Sequence, residues 1–463
     1  MIKLRPYQSK LIDDVRMKMR QGHKNVLIQL PTGGGKTAIA SEMISTAVSK
    51  GLEQWFVCNR QELIDQTARS LYNCGIPFSY IANGYEYDPK KKVHVCSIQT
   101  LHRRLDRVKK PDIIYWDECR MIASPTCSGV YWNNPKCFHI GLDATPCRLS
   151  GEPLGDYFSA MVHGPSVREL ISMGYLCDYK IFAPKVASFD GVGKRAGDYI
   201  SSEIDDIMNQ KKILGNAVRE YQLRAAGKRN LVFCNSVAHS RNLRAEFSAA
   251  GIASADIDGS MNDLERRKTL EKFAKGEILV LTSVNLVTAG YDLPAIECVT
   301  LERPTMSVAM AKQMIGRGLR PHEDKEKLII LDHVNMWQTH GLPDDEYEWT
   351  LSGRKKPAKK TETQVKQCEK CYYVYPASLS KCPECSYEKP VAAREVDMAG
   401  TNDELVEIDP NQIRINRLKE QGQAQSKEDL EKLGLRRGMK PHNARRWADH
   451  VFKARQAKRL RGM

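Results

Sequence analysis

The chain of 463 residues contains no run of about 18 consecutive apolar residues, and its start, MIKLRPYQSKLIDDV, lacks the apolar core of a secretion signal. These absences argue against a membrane span and lead us to expect a soluble, cytoplasmic protein with reduced thiols. No repeat of about 20–50 residues occurs, so a solenoid or propeller is not indicated. No nuclease constellation is present either, so any cutting partner would have to be separate. Acidic residues are in deficit, with 56 Asp plus Glu against 71 Lys plus Arg and a formal net charge of +15. Such an excess favours polyanionic partners, chiefly nucleic acid, although a basic surface can also serve solubility.

The length exceeds what one hydrophobic core usually organises, so two or three domains are expected. Short apolar runs at Asn25–Leu30, Gln54–Asn59, Val93–Ile98, Asp112–Asp117 and His139–Thr145 look like buried strands. Helix-like stretches such as Thr37–Lys50 and Gln61–Asn73 lie between them. A second series follows at Asn230–Asn235, Ala253–Asp258, Glu277–Ser283, Glu297–Glu302 and Lys327–Asp332. Strands alternating with helices predict a parallel sheet covered on both faces. The fold class is therefore α/β: two tandem doubly wound lobes, 1–170 and 171–345, joined near 165–210. Beyond about 345 the strand pattern stops, and we expect a basic linker over 346–366, a cysteine module over 367–389 and a basic, helical tail over 390–463.

Three motifs carry the chemistry. LPTGGGKT (Leu30–Thr37) follows an expected strand and opens an expected helix, the setting a phosphate loop requires. Gly33, Gly34 and Gly35 let backbone N–H groups turn toward phosphates beside Thr32, and the helix N-terminus adds its dipole. Lys36 would reach the β- and γ-phosphates and Thr37 would hold Mg²⁺. Leu30 stands where the strict pattern has glycine. DECR (Asp117–Arg120) ends an apolar strand in adjacent carboxylates, of which Asp117 suits Mg²⁺ and Glu118 the attacking water. QMIGRGLRP (Gln313–Pro321) sets Gln313, Arg317 and Arg320 on one helical segment, where guanidinium groups can meet phosphate oxygens. Upstream, LRPYQ offers Arg5 and Gln8, and a glutamine can pair with an adenine edge.

In this order the motifs resemble those of the superfamily-two helicases, over roughly residues 1–345. RPYQ is similar to their adenine-reading element, LPTGGGKT to motif I, NRQELIDQ and SIQTL to the strand-contacting elements Ia and Ib, and DECR and LDATP to motifs II and III. VFCNS, SVNLVTAGYDLP and QMIGRGLRP are similar to motifs IV, V and VI. The resemblance implies two RecA-like lobes, ATP with Mg²⁺, Arg320 as the arginine finger and Arg317 as its phosphate-binding partner. It also places Gly290 and Asp292 near the nucleotide and Arg60, Thr100, Ser236 and Thr288 near the nucleic acid. Motif II usually ends in His or Asp where this chain has Arg120, and motif III usually begins with Ser or Thr where it has Asp143. An Arg120–Asp143 ion pair is the expected replacement. The opening Gln of motif VI favours DNA-acting groups over DEAD-box RNA helicases. An RNA helicase, or an ATP switch without strand separation, remains an alternative.

Cys368, Cys371, Cys382 and Cys385 form two CxxC knuckles separated by ten residues, a pattern suited to Zn²⁺ in a zinc ribbon, with a redox pair as the rival. Structural zinc of this kind supplies about 10–16 kcal/mol. Tyr372, Tyr373 and Tyr375 between the knuckles could stack on bases or form the ribbon's own core. The other ten cysteines read as small buried hydrophobes. From Arg436 to Met463 there are ten Lys or Arg residues against the single acid Asp449. A helicase core followed by a ribbon, with the run Arg303–Pro321, resembles the RadD family of DNA-repair helicases. That resemblance implies an ATPase acting on DNA in recombination or repair; a monomer is compatible with it.

Overall fold

The computed structural model describes residues 4–147, 154–183, 192–195, 198–284, 295–345, 347, 349–352, 365–367, 374–376, 381, 406–439 and 441–461. The first lobe holds seven strands, β1 (Asn25–Gln29), β2 (Gln54–Cys58), β3 (Ser79–Ile81), β4 (Val93–Ser97), β5 (Ile113–Asp117), β6 (Phe138–Asp143) and β7 (Ala160–His163). They lie in the order β3-β4-β2-β5-β6-β1-β7, every pair parallel. The strands are almost continuously apolar because both faces are covered. Along β1 successive side chains alternate: Val26 and Ile28 meet Leu11, Val15 and Ile39 on one face, while Leu27 meets Trp116 and Val130 on the other.

The second lobe repeats the plan with β8 (Asp178–Ala183), a two-residue hairpin of β9 (Lys194–Arg195) and β10 (Asp198–Tyr199), then β11 (Asn230–Cys234), β12 (Ser254–Ile257), β13 (Val280–Ser283), β14 (Cys298–Glu302) and β15 (Lys327–Asp332). Phe233, Val299 and Ile330 turn toward Phe273 and Met314, and Val232, Cys234 and Leu331 toward Tyr221 and Phe247. The sheets change between β7 and β8, since β7 pairs with β1 and β8 with β15. Of the ten scattered cysteines, Cys74 and Cys147 are half-buried and the other eight buried.

The strand pattern does not stop at 345. β16 (Val365–Gln367) and β17 (Val374–Pro376) form an antiparallel hairpin, and β18 (Val406–Ile408) adds antiparallel to β8, so the second sheet reads β12-β13-β11-β14-β15-β8-β18. Three residues are too few to show a period, which is why sequence alone misses β18. The segment after β15 also returns to the first lobe: Leu351 packs on that lobe's core, and its carbonyl accepts from Gly155 N at 2.9 Å. Helices follow at Pro410–Gln423, Lys427–Arg436 and Pro441–Arg461.

Candidate nucleotide site between the lobes

The three motifs converge at the carboxyl ends of β1, β5 and β6, where open α/β sheets receive ligands. Leu30 ends the first strand's run, and the loop turns through Gly33 and Gly35, both at φ +84°. Only glycine adopts that conformation without cost. A Cβ on Gly35 would lie 2.3 Å from Gln8 Nε2, and one on Gly34 would lie 2.6 Å from Leu30 Cγ. The leucine that breaks the strict pattern thus supports the loop from below. Lys36 and Thr37 open the helix Lys36–Val48, and Lys36 Nζ donates to the Leu30 carbonyl at 3.0 Å. Burial pushes the Lys36 amine down against the pull of Asp117, Asp143 and Glu118.

The helix Pro6–Arg20 braces this loop. Tyr7 Oη and Gln8 Nε2 both donate to the Gly34 carbonyl, at 2.8 and 3.1 Å, and Gln8 Oε1 accepts from Arg5 N at 2.9 Å. One N–H and one lone pair of the Gln8 amide are left over for a base edge. The Arg5 guanidinium stacks 4.3 Å above the ring of Tyr175, which meets Tyr7 edge-on. Tyr7 lies within LRPYQ and was open to notice; Tyr175 lies in the join between the lobes, where no pattern pointed to it.

Asp117 is the last residue of β5, and burial, reinforced by the Glu118 charge, raises its pKa to about 7 despite Lys36. Glu118 holds a left-handed backbone at φ 51° and ψ 50°. A non-glycine residue there carries strain of order 1–3 kcal/mol, which the surroundings must hold. They do so through both carboxylate oxygens. Arg120 donates to Glu118 Oε2, and from the other lobe Gln313 Nε2 donates to Glu118 Oε1 at 2.7 Å.

The expected Arg120–Asp143 pair is formed: Arg120 Nη1 lies 2.8 Å from Asp143 Oδ1, and Arg120 N donates to Oδ2 at 2.8 Å. Asp143, fully buried, also accepts from Thr145 N at 2.9 Å. Burial works against the Arg120 charge, but Asp143 and Glu118 more than compensate and hold it protonated. The contact to Glu118 is the part that reading the motif departures one at a time did not reveal.

The helix Val308–Gly318 brings Gln313 and Arg317, with Arg320 just beyond, against the phosphate loop. Gly316 allows the close approach, since a Cβ there would lie 2.8 Å from Thr32 Cβ. A Cβ on Gly33 would lie 2.7 Å from Leu176 Cδ2 and 3.9 Å from Arg320 Cγ, so side chains of the second lobe pack directly on the loop. Arg317 is buried. Beside this contact a cleft of about 310 Å³ runs between the lobes, lined by Thr32, Thr145, Lys312, Tyr347 and Trp349 among others. Tyr347 and Trp349 stack with centroids 5.2 Å apart, and Lys312 Nζ sits 4.4 Å over Tyr347.

Arg60, Thr100 and Ser236 follow β2, β4 and β11, so all three stand at carboxyl edges of their sheets. Arg60 is exposed, and Ser236 caps its helix by accepting from His239 N at 3.1 Å. Thr288, Gly290 and Asp292 lie outside the described residues, as do Cys368, Cys371, Cys382 and Cys385. Among the described residues no cluster of His, Cys, Asp and Glu could hold a metal, and no helix is long and apolar enough to cross a membrane.

Residues 1–148 match the family model described as type III restriction enzyme, res subunit, and residues 210–322 match the helicase conserved C-terminal domain. A 51.5 kDa protein of a Lactococcus phage is 31% identical over 365 residues, 78% of each chain. A Saccharomyces cerevisiae protein described as an ATP-dependent helicase, IRC3, is 29% identical over 72% of this chain, which spans only 51% of that relative. The DNA 3'-5' translocase XPB2 of Sulfurisphaera tokodaii is 25% identical over 71% of this chain and 81% of its own. Among solved structures, the fragment of an HsdR subunit of a type I restriction enzyme from Vibrio vulnificus superposes with a TM-score of 0.60 at 21% identity, over 74% of this chain and 67% of that one. With both halves of the site and both lobes accounted for, this chain belongs to the superfamily-two helicases.

Proposed function

We propose that the chain is a DNA-stimulated ATPase whose lobes close on ATP and its Mg²⁺ to translocate on, or remodel, DNA. The observation that carries this reading is the Gln313–Glu118 hydrogen bond across the lobes at 2.7 Å. It ties the residue proposed to orient water to the helix proposed to supply the arginines, so hydrolysis requires closure. Thr32, the loop N–H groups of Gly33–Gly35 and Lys36 take the phosphates, with Arg5, Gln8, Gly290 and Asp292 on the rest of the nucleotide. The donor set fits the metal: Thr37 follows Lys36 in the first turn of its helix, and the Lys36 amine feels the buried Asp117 carboxylate. Mg²⁺, when bound there, neutralises phosphate charge. Arg317 and Arg320 meet the phosphates from the second lobe, and a finger of this kind is worth about 10³–10⁵ in rate. Arg60, Thr100, Ser236 and Thr288 line the path of the strand.

DNA is favoured over RNA by the opening Gln313 of motif VI and by the DNA translocase and restriction enzymes among the relatives. A role in recombination or repair, as in the RadD family, and a cytoplasmic setting belong to the same reading. So does Zn²⁺ on Cys368, Cys371, Cys382 and Cys385, a reading supported by the spacing of the two CxxC pairs. Metal analysis of reduced protein should return one zinc per chain; none would remove the ribbon.

The deciding measurement is ATP hydrolysis with single-stranded, duplex and forked DNA and with RNA. DNA should stimulate and RNA should not; the reverse would make the chain an RNA helicase, and stimulation without translocation would make it a switch. Lys36→Ala and Glu118→Gln should each lower turnover by at least about 10² with the fold retained by circular dichroism.

A further inference from the structure

The last two helices, Lys427–Arg436 and Pro441–Arg461, form a hairpin to which the proposed reaction assigns no task. They cross closely: Leu430, Leu433, Ala444 and Ala448 are buried, and a Cβ on Gly434 would lie 2.9 Å from that of Ala444. The hairpin is fixed to the motor rather than trailing from it. The preceding helix anchors on the second lobe through Arg417 and Asp345 at 2.9 Å, just after β18 has joined that lobe's sheet. Arg437 then donates to the Arg417 carbonyl, and Arg455 to the Ala424 carbonyl, at 2.6 and 2.7 Å.

Several of the unit's charges are spent within it. Glu420 pairs with Arg437 at 3.0 Å, Glu431 with Arg445 at 3.3 Å, and Asp449, the one acid of the last helix, with Lys427 at 2.5 Å. A different set of basic side chains faces solvent. His442, Arg446, His450 and Lys453 are exposed at intervals of four, four and three residues, which sets them in one line opposite the buried Ala444 and Ala448. At 1.5 Å per residue that line is about 16 Å long. Arg436 is exposed beside it at the turn.

We infer that this outer face of the C-terminal hairpin is a second nucleic-acid contact, which docks on the sugar–phosphate backbone of duplex DNA. The inference rests on the proposed action on DNA. A straight row in which Arg446 and Lys453 supply the charge, with His442 and His450 as polar neighbours, suits a rigid backbone. Contacts with single strands rely instead on aromatic faces for the bases, and among the described residues of this helix no exposed position holds Phe, Tyr or Trp. Because the hairpin is tied to Asp345, duplex held there stays in register with the second lobe as that lobe moves.

The test is the full chain carrying Arg436→Gln, Arg446→Gln and Lys453→Gln, none of which belongs to the nucleotide site. Duplex and single-strand affinities are measured against NaCl concentration, together with ATPase activity. For duplex, the slope of log affinity against log salt should become shallower by about 2 to 3, at about 0.9 per phosphate contact. The duplex concentration giving half-stimulation should rise roughly tenfold, with DNA-free turnover and turnover at saturating DNA unchanged. The charge-keeping set Arg436→Lys, Arg446→Lys and Lys453→Arg should retain the wild-type slope. An unchanged duplex slope, or a loss confined to single strands, overturns the inference. If the wild-type chain is not stimulated by DNA at all, the proposed function fails instead.

Discussion

Arg120 reaches two carboxylates at once, Asp143 behind it and Glu118 in front, and so joins motif III to the residue proposed to orient water. A charge swap between Arg120 and Asp143 is therefore no clean test of their pairing, because it would place a carboxylate against Glu118. The informative set is Arg120→Gln, Asp143→Asn and the double variant. Arg120→Gln leaves buried Asp143 without its partner and should cost about 3–5 kcal/mol, with the double variant recovering part of that loss. Turnover should stay low in both, because Glu118 has lost its guanidinium. Chemical denaturation and steady-state kinetics on the same samples separate the two effects. Asp117 makes a second prediction. Its folded pKa of about 7 lies above its ordinary value of 3.8, so the neutral form is favoured in the fold. The stability this contributes is complete below about pH 4 and is lost as pH rises through 7. The metal-free protein should melt lower at pH 8 than at pH 5.5, and Asp117→Asn should flatten that difference. Mg²⁺ needs the ionised form, so its affinity should weaken roughly tenfold between pH 8 and 6; titration calorimetry reads this directly.

At the scale of the element, the helix Val308–Gly318 approaches the phosphate loop because Gly316 leaves room for Thr32. Gly316→Ala places a methyl group 2.8 Å from Thr32 Cβ and should hold the lobes apart. Turnover should fall about tenfold or more, as expected when catalytic groups are misplaced by about 1 Å, with the melting temperature nearly unchanged because the strain is relieved by opening the cleft. An equal loss of stability would show that the glycine serves packing alone. The strands of both lobes were legible because each is an apolar run bounded by polar turns, and the helix Gln61–Asn73 was legible to the residue. β3, β7, β8, β9 and β10 were not: β3, β7, β9 and β10 have only two to four residues, and β8 is interrupted by Asp178 and Lys180.

For the whole molecule, the residues after 345 complete the core rather than trail from it. Leu351 packs in the first lobe while the Lys312 amine of the second sits 4.4 Å over the Tyr347 ring, so this stretch ties the lobes along the cleft. β18 covers the edge of β8, and an uncovered edge strand invites pairing with other chains. A chain ending at 345 should therefore melt lower and aggregate, whereas one ending at 425, which keeps Leu351 and β18, should melt close to the full chain. Light scattering and thermal melts of the two truncations decide this. Similar behaviour of both would mean that the C-terminal residues do not support the core.

The sequence by itself determined the two α/β lobes and the chemistry of the three motifs, because apolar period and loop chemistry are local properties of the chain. It also pointed to the Arg120–Asp143 pair, since two departures of opposite charge in neighbouring motifs invite each other. Tertiary structure alone decided that Arg120 also holds Glu118, that Gln313 crosses the cleft to the same carboxylate, that Tyr175 stacks on Arg5, and that β18 closes the second sheet. Each of the last three joins residues more than 150 positions apart. The packing of the two cores sets such distances, and for the Gln313–Glu118 contact the close approach permitted by Gly316 does so as well.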